Sequence, residues 1–191
     1  MSPESSAPAI RTVAVIGAGT AGRSFAIACA AAGYTVVLED VMPANLRHAE
    51  AEYADASLRG RSGSLELAST VEDAVREADL AVDFVPDELE SKLEIFSMID
   101  RMAPPKTILC TPSEALSITD LASCVYRPER SVAVRGGLAA GSTVRVLYPA
   151  QAEAGVVQAV EDFLRRLGFE VRAEVDPDEP ALMKNQVRGP I

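Results

Sequence analysis

The segment that most constrains the fold is a glycine-rich turn between an apolar run and a run of small residues. Residues 13–16 are apolar, and Gly17, Gly19 and Gly22 follow in the spacing GxGxxG, ahead of a predicted helix. In a strand–turn–helix unit the first glycine permits the tight turn, the second lets the backbone approach a pyrophosphate, and the third lets the helix pack closely on the sheet. The unpaired N–H groups of the first helical turn then point at the anion.

A second apolar run, residues 35–38, ends in the carboxylates Glu39 and Asp40, about 20 residues after the glycines, where an acid binds a ribose diol. Strand, glycines, helix, strand and acid therefore occur in the order that a dinucleotide-binding unit requires. The simpler alternative is a glycine-rich turn with a purely structural role. We favour dinucleotide binding because all five parts are in register.

Composition excludes several classes of function. The chain has 191 residues, enough for one domain, and a formal net charge of −10 that disfavours nucleic acid and anionic membranes as partners. No apolar run reaches the ~18–20 residues that span a bilayer. One histidine and no cysteine cluster give no expected metal site. The cysteines, Cys29, Cys110 and Cys124, lie in apolar segments, so we expect buried thiols and a cytoplasmic location.

Strand-like and helix-like segments alternate along the chain, which predicts an α/β fold: a Rossmann-type, doubly wound, mostly parallel sheet in a single domain. We assign residues 10–175 to this domain, 1–9 to a flexible tail without the features of a signal peptide, and 176–191 to a C-terminal tail. Predicted strands are 12–16, 35–39, 65–68, 80–85, 107–110, 131–134, 144–148 and 170–173. Predicted helices are 21–32, 43–59, a short one from Thr70 as N-cap to about 78, 88–103, 118–124 after Ser117 as N-cap, and 152–167.

The order of these pieces resembles the N-terminal NAD-binding domain of the L-3-hydroxyacyl-CoA dehydrogenase family. The matching segments are 15–23, 32–40, 78–92, 116–122 and 127–130. The resemblance covers roughly residues 10–185 and is most specific in its first two thirds.

The resemblance implies NAD as the cofactor and a set of cofactor-binding positions. Asp40 is the implied ribose acid, with Glu39 as the fallback, and an acid here favours NAD over NADP because it repels a 2′-phosphate. Asp87 and Lys92 fall where the family holds the cofactor with a Glu and a Lys, although Lys92 is equally well read as a solvated helix charge. The cofactor contacts so expected are Gly17, Ala18, Gly19, Thr20, Ala21, Gly22, Glu39, Asp40, Val85, Pro86, Asp87 and Lys92.

The resemblance fails at the family's catalytic residues. The family uses a His base oriented by a Glu, with a Ser and an Asn at the substrate carbonyl. Laid on that pattern without a gap, this chain has Arg135 at the His, Leu147 at the Glu, Glu114 at the Ser and Leu138 at the Asn. Arginine cannot act as a base, because its pKa is above ~12. The single histidine, His48, lies on the second predicted helix and reads as an exposed helix residue.

Three functional hypotheses follow. The first is an NAD-dependent oxidoreductase with an altered site, acting on a small or acyl-thioester substrate (CoA or carrier protein), with Glu114 as acid/base and Arg135 as an anion clamp; for both residues a surface charge is the simpler alternative. The second is an inactive NAD(H)-binding pseudoenzyme, or a subunit completed by a partner chain or a homodimer, since the chain ends about where the family's helical domain begins. The third uses the glycine-rich loop 136–142 to hold a phosphate or an acyl-carrier arm; it lacks the Lys of a P-loop.

Overall fold

A computed structural model of the chain describes residues 7–57, 63–139 and 141–177. Within these residues it forms one eight-stranded sheet and six α-helices. The strands are β1 (Thr12–Ile16), β2 (Thr35–Glu39), β3 (Ser64–Ala68), β4 (Leu80–Asp83), β5 (Ile108–Pro112), β6 (Ser131–Arg135), β7 (Thr143–Tyr148) and β8 (Glu170–Val175). The helices are α1 (Thr20–Ala31), α2 (Pro43–Ser57), α3 (Val71–Val75), α4 (Leu89–Met102), α5 (Ile118–Ala122) and α6 (Ala154–Arg166).

Every predicted element is present, and the ends agree within three residues wherever they can be compared. Residues 1–6 and 178–191 of the predicted tails, and 58–59 of the predicted helix 43–59, lie outside the described residues. The Rossmann-type fold class is confirmed.

The strands are ordered β3-β2-β1-β4-β5-β6-β7-β8. The pairs from β3 to β6 are parallel, β6 and β7 are antiparallel, and β8 is parallel to β7. The chain winds outward in both directions from the middle of the sheet, so the strand order reverses between β1 and β4. In open α/β sheets, ligands bind beyond the carboxyl ends of the strands at such a switch point. The fold therefore places a binding crevice directly beyond Ile16.

Apolar residues cover both faces of the sheet. One face packs against α1 and α6, where the rings of Phe25, Tyr34 and Phe163 meet, with 5.0 Å between the centroids of Tyr34 and Phe163. The other face packs against α3, α4 and α5 and includes the buried residues Phe96 and Ile99. Burial on both faces explains why the central strands read as continuous apolar runs.

Polar side chains cap the N-termini of two helices, and glycines follow the C-termini of two others, as the sequence predicts. The side chain of Thr70 accepts a hydrogen bond from the Asp73 N–H, and the side chain of Ser117 caps α5 in the same way. Gly33 and Gly168, which follow α1 and α6, have φ of 98° and 90°, the left-handed region that glycine enters without a Cβ penalty.

The cysteine prediction is wrong at one position. Cys29 and Cys110 are buried, and burial raises the pKa of the Cys110 thiol to about 12, but Cys124 is exposed. Cys124 lies beyond the end of α5 in a segment where Ser123 and Tyr126 are also exposed, so its apolar sequence surroundings do not lead to burial.

Candidate functional site

The glycine turn after β1 has the geometry that its spacing predicts. Gly17 has φ of +101°, a conformation that L side chains rarely adopt, and its N–H donates to the Glu39 carbonyl at 2.9 Å. A Cβ on Gly22 would lie 1.9 Å from the Gly17 carbonyl oxygen, so α1 packs against the turn only because that position lacks a side chain. A Cβ on Gly19 would have no atom within 4 Å. That open space is where a ligand's phosphates can approach the backbone.

The N-terminus of α1 faces this open space without a competing side chain. Its N-cap, Gly19, makes no side-chain hydrogen bond, and the first turn contains no acidic residue. Thr20 and Ala21, the first two helical residues, are exposed. Because helix N-termini carry unsatisfied N–H groups and a partial positive charge, this end of α1 is suited to bind an anion.

The carboxylate of Asp40 is anchored beside the glycine turn. One oxygen accepts from the Ala18 N–H at 2.8 Å and from the Asn45 side chain at 3.0 Å, and the other accepts from the Met42 N–H at 2.7 Å. Burial acts to raise the pKa of Asp40, but these hydrogen bonds and the Arg23 guanidinium outweigh it and hold the pKa below its ordinary value. Asp40 is therefore ionised and fixed in orientation, as is required of a carboxylate that accepts hydrogen bonds from a sugar diol.

A cleft of about 530 Å³ opens at the switch point, and we call it the switch-point cleft. It is lined by six of the predicted cofactor residues: Gly17, Gly19, Glu39, Asp40, Val85 and Pro86. Residues from α4, together with Val41 and Val71, add a largely apolar wall. The sequence thus predicted the glycine and acid side of the cleft. It missed Asn45 of α2 and the wall formed by α4, because only the packing of these helices brings them to this edge of the sheet.

Glu39 lines the same cleft, but its pKa is shifted in the opposite direction from that of Asp40. It is 3% exposed, and burial, followed by the neighbouring charge of Asp40, raises its pKa to about 7. Near neutral pH this carboxyl group is therefore divided between its charged and neutral forms, whereas Asp40 is fully ionised.

Lys92 lies away from the cleft surface. Its ammonium is 1% exposed and donates to the Asp83 carboxylate at 2.7 Å and to the Pro112 carbonyl at 2.9 Å. Burial raises the pKa of Asp83, and the Lys92 ammonium opposes that shift. The reading of Lys92 as a solvated helix charge is wrong, and its predicted action on the cofactor stays a prediction. The sequence signal for its partner was an acid, Asp83, at the end of an otherwise apolar strand.

A polar network joins the loops that follow β4, β5 and β6. The Asp87 carboxylate accepts from the Ser113 hydroxyl at 2.6 Å and from the Glu114 N–H at 2.9 Å. The Glu114 carboxylate in turn accepts from the Gly136 N–H at 2.8 Å. Asp87 and Glu114 thus hold the loops together on the β5–β6 side of the sheet. Ser113 was not predicted, since nothing in its local sequence distinguishes it.

The four residues at the family's catalytic positions are placed as follows. Arg135 is 8% exposed and donates to the Leu116 carbonyl at 2.8 Å, while Glu114 is exposed on the neighbouring loop. Leu147 is fully buried in the sheet core, and Leu138 packs partly buried against the other face. Leu147 is therefore a core residue. His48 lies exposed on α2, as the sequence predicts.

The glycine-rich loop 136–142 turns β6 back into β7. Gly136 has φ of +117°, and a Cβ there would lie 2.8 Å from the Thr143 carbonyl oxygen. The Gly136 N–H is already engaged by Glu114. Residue 140 lies outside the described residues. The prediction that this loop holds a phosphate or a carrier arm stays a prediction.

Comparison with known proteins agrees with this geometry. Residues 12–136 match the family model of the 3-hydroxyacyl-CoA dehydrogenase NAD binding domain. A probable 3-hydroxybutyryl-CoA dehydrogenase of Bacillus subtilis is 31% identical over 136 residues, covering 64% of this chain and 47% of the relative. The 5-formyl-3-hydroxy-2-methylpyridine 4-carboxylate 5-dehydrogenase of Mesorhizobium japonicum is 27% identical over 194 residues, covering 93% of this chain and 61% of the relative.

Among solved structures, (S)-3-hydroxybutyryl-CoA dehydrogenase from Ralstonia eutropha superposes with a TM-score of 0.77 at 23% identity, covering 88% of this chain and 64% of that one. At this identity the likeness shows the fold alone. The chain thus spans about half to two thirds of the length of these relatives.

Among the described residues, no helix combines the length and the apolar composition needed to cross a lipid bilayer. The matched family model and the glycine–acid geometry of the switch-point cleft identify the cofactor as NAD. The chain belongs to the family of 3-hydroxyacyl-CoA dehydrogenase NAD-binding domains.

Proposed function

We propose that this chain is the NAD(H)-binding part of an oxidoreductase with an altered active site, acting on a small or acyl-thioester substrate. The observation that carries the proposal is the switch-point cleft, where an open glycine turn, a free helix N-terminus and the ionised Asp40 face one ligand space. Diphosphate on the helix N-terminus and ribose on Asp40 account for all three features.

Hydride transfer to or from a carbonyl needs a group that exchanges the hydroxyl proton. A guanidinium group has N–H donors and no acceptor, so Arg135 can serve as a hydrogen-bond donor or an anion clamp but not as a base. Glu114 is the remaining candidate for acid/base chemistry, because it is exposed and its carboxylate is oriented by the Gly136 N–H. Asp87 supports it by binding the Glu114 backbone N–H and the Ser113 hydroxyl.

The second candidate is an NAD(H)-binding protein without dehydrogenase chemistry, or a subunit whose substrate site is completed by a partner chain or a second copy. One observation favours it: Leu147, at the position of the family's orienting Glu, is buried in the sheet core and can orient nothing. The cofactor cleft is the same in both candidates. We also propose a cytoplasmic location, supported by the free thiols of Cys29, Cys110 and Cys124.

Cofactor binding is tested by calorimetric titration of the purified chain with NADH and NADPH. We expect saturable NADH binding, weaker NADPH binding, and a loss of about tenfold or more in NADH affinity for Asp40→Asn, which leaves a neutral group where the diol bonds to a carboxylate. Asp55→Asn, at an exposed position on α2, is the matched control and should bind as the parent does. Absence of NADH binding by the parent chain would contradict both candidates.

Chemistry is tested by following NADH absorbance with acetoacetyl-CoA at high protein concentration. Turnover that disappears in Glu114→Gln and in Arg135→Met, but persists in the surface control Glu153→Gln, supports the altered oxidoreductase. Full rates in Glu114→Gln and Arg135→Met would show that these two residues are not the active site. Tight NADH binding without turnover of acyl-thioester or small carbonyl substrates favours the second candidate.

A further inference from the structure

Glu39 occupies a position for which the fold gives no structural explanation. It is the last residue of β2, and its neighbours in the sheet are Ile16 of β1 and Ala68 of β3. It points to the face of the sheet that α3 and α4 cover, as Val37 does two residues earlier. The side chain is nine-tenths buried or more, yet it contributes to the wall of the switch-point cleft.

Within the described residues, the Glu39 carboxyl group has no hydrogen-bond donor and no cation; the influences on it are burial and the charge of Asp40. Asp40, the next residue, is held by donors from Ala18, Met42 and Asn45. The Glu39 oxygens are not among the fully enclosed side-chain atoms without a partner, so they open into the cleft, and such a poorly solvated carboxyl group costs free energy when ionised. Such a group at the wall of a ligand cleft indicates that the ligand supplies the partner.

The surrounding charges favour the neutral form of Glu39. The cleft residues include two further carboxyl groups, Asp40 and Glu94 of α4, and none of those that the structure describes is a lysine or arginine. From α3, Val71 lines the cleft, and α2 contributes the neutral Asn45. Arg23 of α1 acts on Asp40, not on Glu39, and is itself paired with Glu52 at 3.1 Å. A third negative charge would also oppose a diphosphate ligand.

The chemistry of the residues that line the cleft fits a purine. Val41, Val71, Ile95 and Met98 supply apolar surface for a flat ring. A neutral carboxylic acid presents one O–H donor and one carbonyl acceptor side by side. Adenine presents the complementary pair, an exocyclic amino donor next to a ring-nitrogen acceptor. An ionised carboxylate offers two acceptors and matches only half of that edge.

We propose that Glu39 binds the adenine ring of NAD(H) as a neutral carboxylic acid through a two-point hydrogen bond, so that cofactor binding takes up a proton. The proposal rests on the proposed cofactor function and assigns Glu39 a base-recognition role distinct from that of Asp40, which holds the ribose. Burial raises the pKa of Glu39 to about 7 in the free chain, so a fraction of the groups must be protonated on binding near neutral pH.

The dependence of cofactor affinity on pH follows from the protonation state of Glu39 in the free chain. Above the pKa the free chain carries an ionised Glu39, and binding must first protonate it, so affinity falls by up to about tenfold per pH unit as pH rises. Below the pKa the group is already neutral and affinity no longer changes with its titration.

The experiment is calorimetric titration with ADP-ribose and NADH at pH 6, 7 and 8, in buffers of different ionisation enthalpy, which gives the number of protons taken up. ADP-ribose carries the adenine half of the cofactor, and its diphosphate diester does not titrate in this range. For the parent chain we expect proton uptake that approaches one at pH 8, with both ligands. Urea unfolding of each variant confirms that it is folded.

Three variants separate the outcomes. Glu39→Gln keeps a donor–acceptor pair without a titrating group, so we expect affinity close to that of the parent at pH 6, no proton uptake and no fall at pH 8. Glu39→Leu should lose about tenfold at pH 6, because the base loses both hydrogen bonds. Glu90→Gln, at an exposed position of α4 outside the cleft lining, is the matched control and should keep the proton uptake of the parent.

Two results would overturn the proposal while leaving cofactor binding intact. One is equal pH dependence in the parent and in Glu39→Gln. The other is a Glu39→Leu variant that binds as tightly as Glu39→Gln, which would reduce the role of Glu39 to its charge. Failure of every variant and of the parent to bind either ligand at any pH would instead refute the proposed cofactor function.

Discussion

Replacing Lys92 by methionine tests the buried ion pair that links β4, β5 and α4. The substitution conserves length and removes the ammonium that donates to the Asp83 carboxylate and to the Pro112 carbonyl at 2.7 and 2.9 Å. Both members of the pair are essentially inaccessible to water, at 1% and 0% exposure. Asp83 would then be a buried acid without its cation, next to a carbonyl that has lost its donor.

Breaking one side of a buried pair costs about 3–5 kcal/mol, a large part of the 5–15 kcal/mol that typically stabilises a domain. Lys106→Met is the matched control, because Lys106 pairs with Asp79 at 2.6 Å but is 55% exposed. For an exposed pair we expect a cost of about 1 kcal/mol or less. The double variant Asp83→Val/Lys92→Met replaces the pair by apolar side chains and should recover most of the lost stability.

Urea unfolding followed by circular dichroism at pH 7 and pH 5 measures these differences. Because the isolated Asp83 becomes neutral more readily at low pH, the deficit of Lys92→Met should shrink as pH falls. A Lys92→Met variant no less stable than Lys106→Met would refute the reasoning. NADH titration of the double variant adds a second result: unchanged affinity would assign Lys92 a structural role, and lost affinity a role in cofactor binding.

Four further substitutions probe the glycine turn, the acid pair and a helix cap. Gly22→Ala should destabilise the chain by about 3 kcal/mol or more in urea unfolding, because its Cβ would lie 1.9 Å from the Gly17 carbonyl oxygen. Gly19→Ala, whose Cβ points into open space, should leave unfolding within about 0.5 kcal/mol and weaken NADH binding; unchanged affinity would argue against phosphate at this turn. The stability of Glu39→Gln relative to the parent should rise by at most about 3 kcal/mol as pH increases from about 4.5 to above 7. The reason is that the folded parent must release a proton that it holds more tightly than the unfolded chain does. A constant difference in stability across this range would contradict the raised pKa of Glu39. Thr70→Ala should cost about 1 kcal/mol through loss of the cap on α3, and a neutral effect would show that the cap contributes little.

Local signals were sufficient to predict most of the fold. Apolar runs, the glycines after β1 and the caps Thr70 and Ser117 all act over a few residues, so they can be read directly. The reversal of direction at β7 follows from loop length: only seven residues separate β6 from β7, and a parallel crossover needs a dozen or more.

The site was predictable only where it is made from contiguous residues. Gly17 to Gly22 and the acids after β2 follow from spacing alone. Asn45 and the α4 wall reach the cleft, and Ser113 reaches Asp87, through the packing of separate elements, which no local pattern specifies. The buried state of Lys92 likewise depends on Asp83, nine residues away on another element.

The antiparallel step between β6 and β7 has a practical consequence. Because β7 and β8 run against the other six strands, the turn from β7 into α6, residues 149–153, lies at the edge of the sheet opposite the switch-point cleft. An affinity tag or fluorescent label spliced into that turn would leave the coenzyme crevice unobstructed. The reversed pair β7–β8 thus offers an anchoring point for immobilising the protein with its crevice open to solvent.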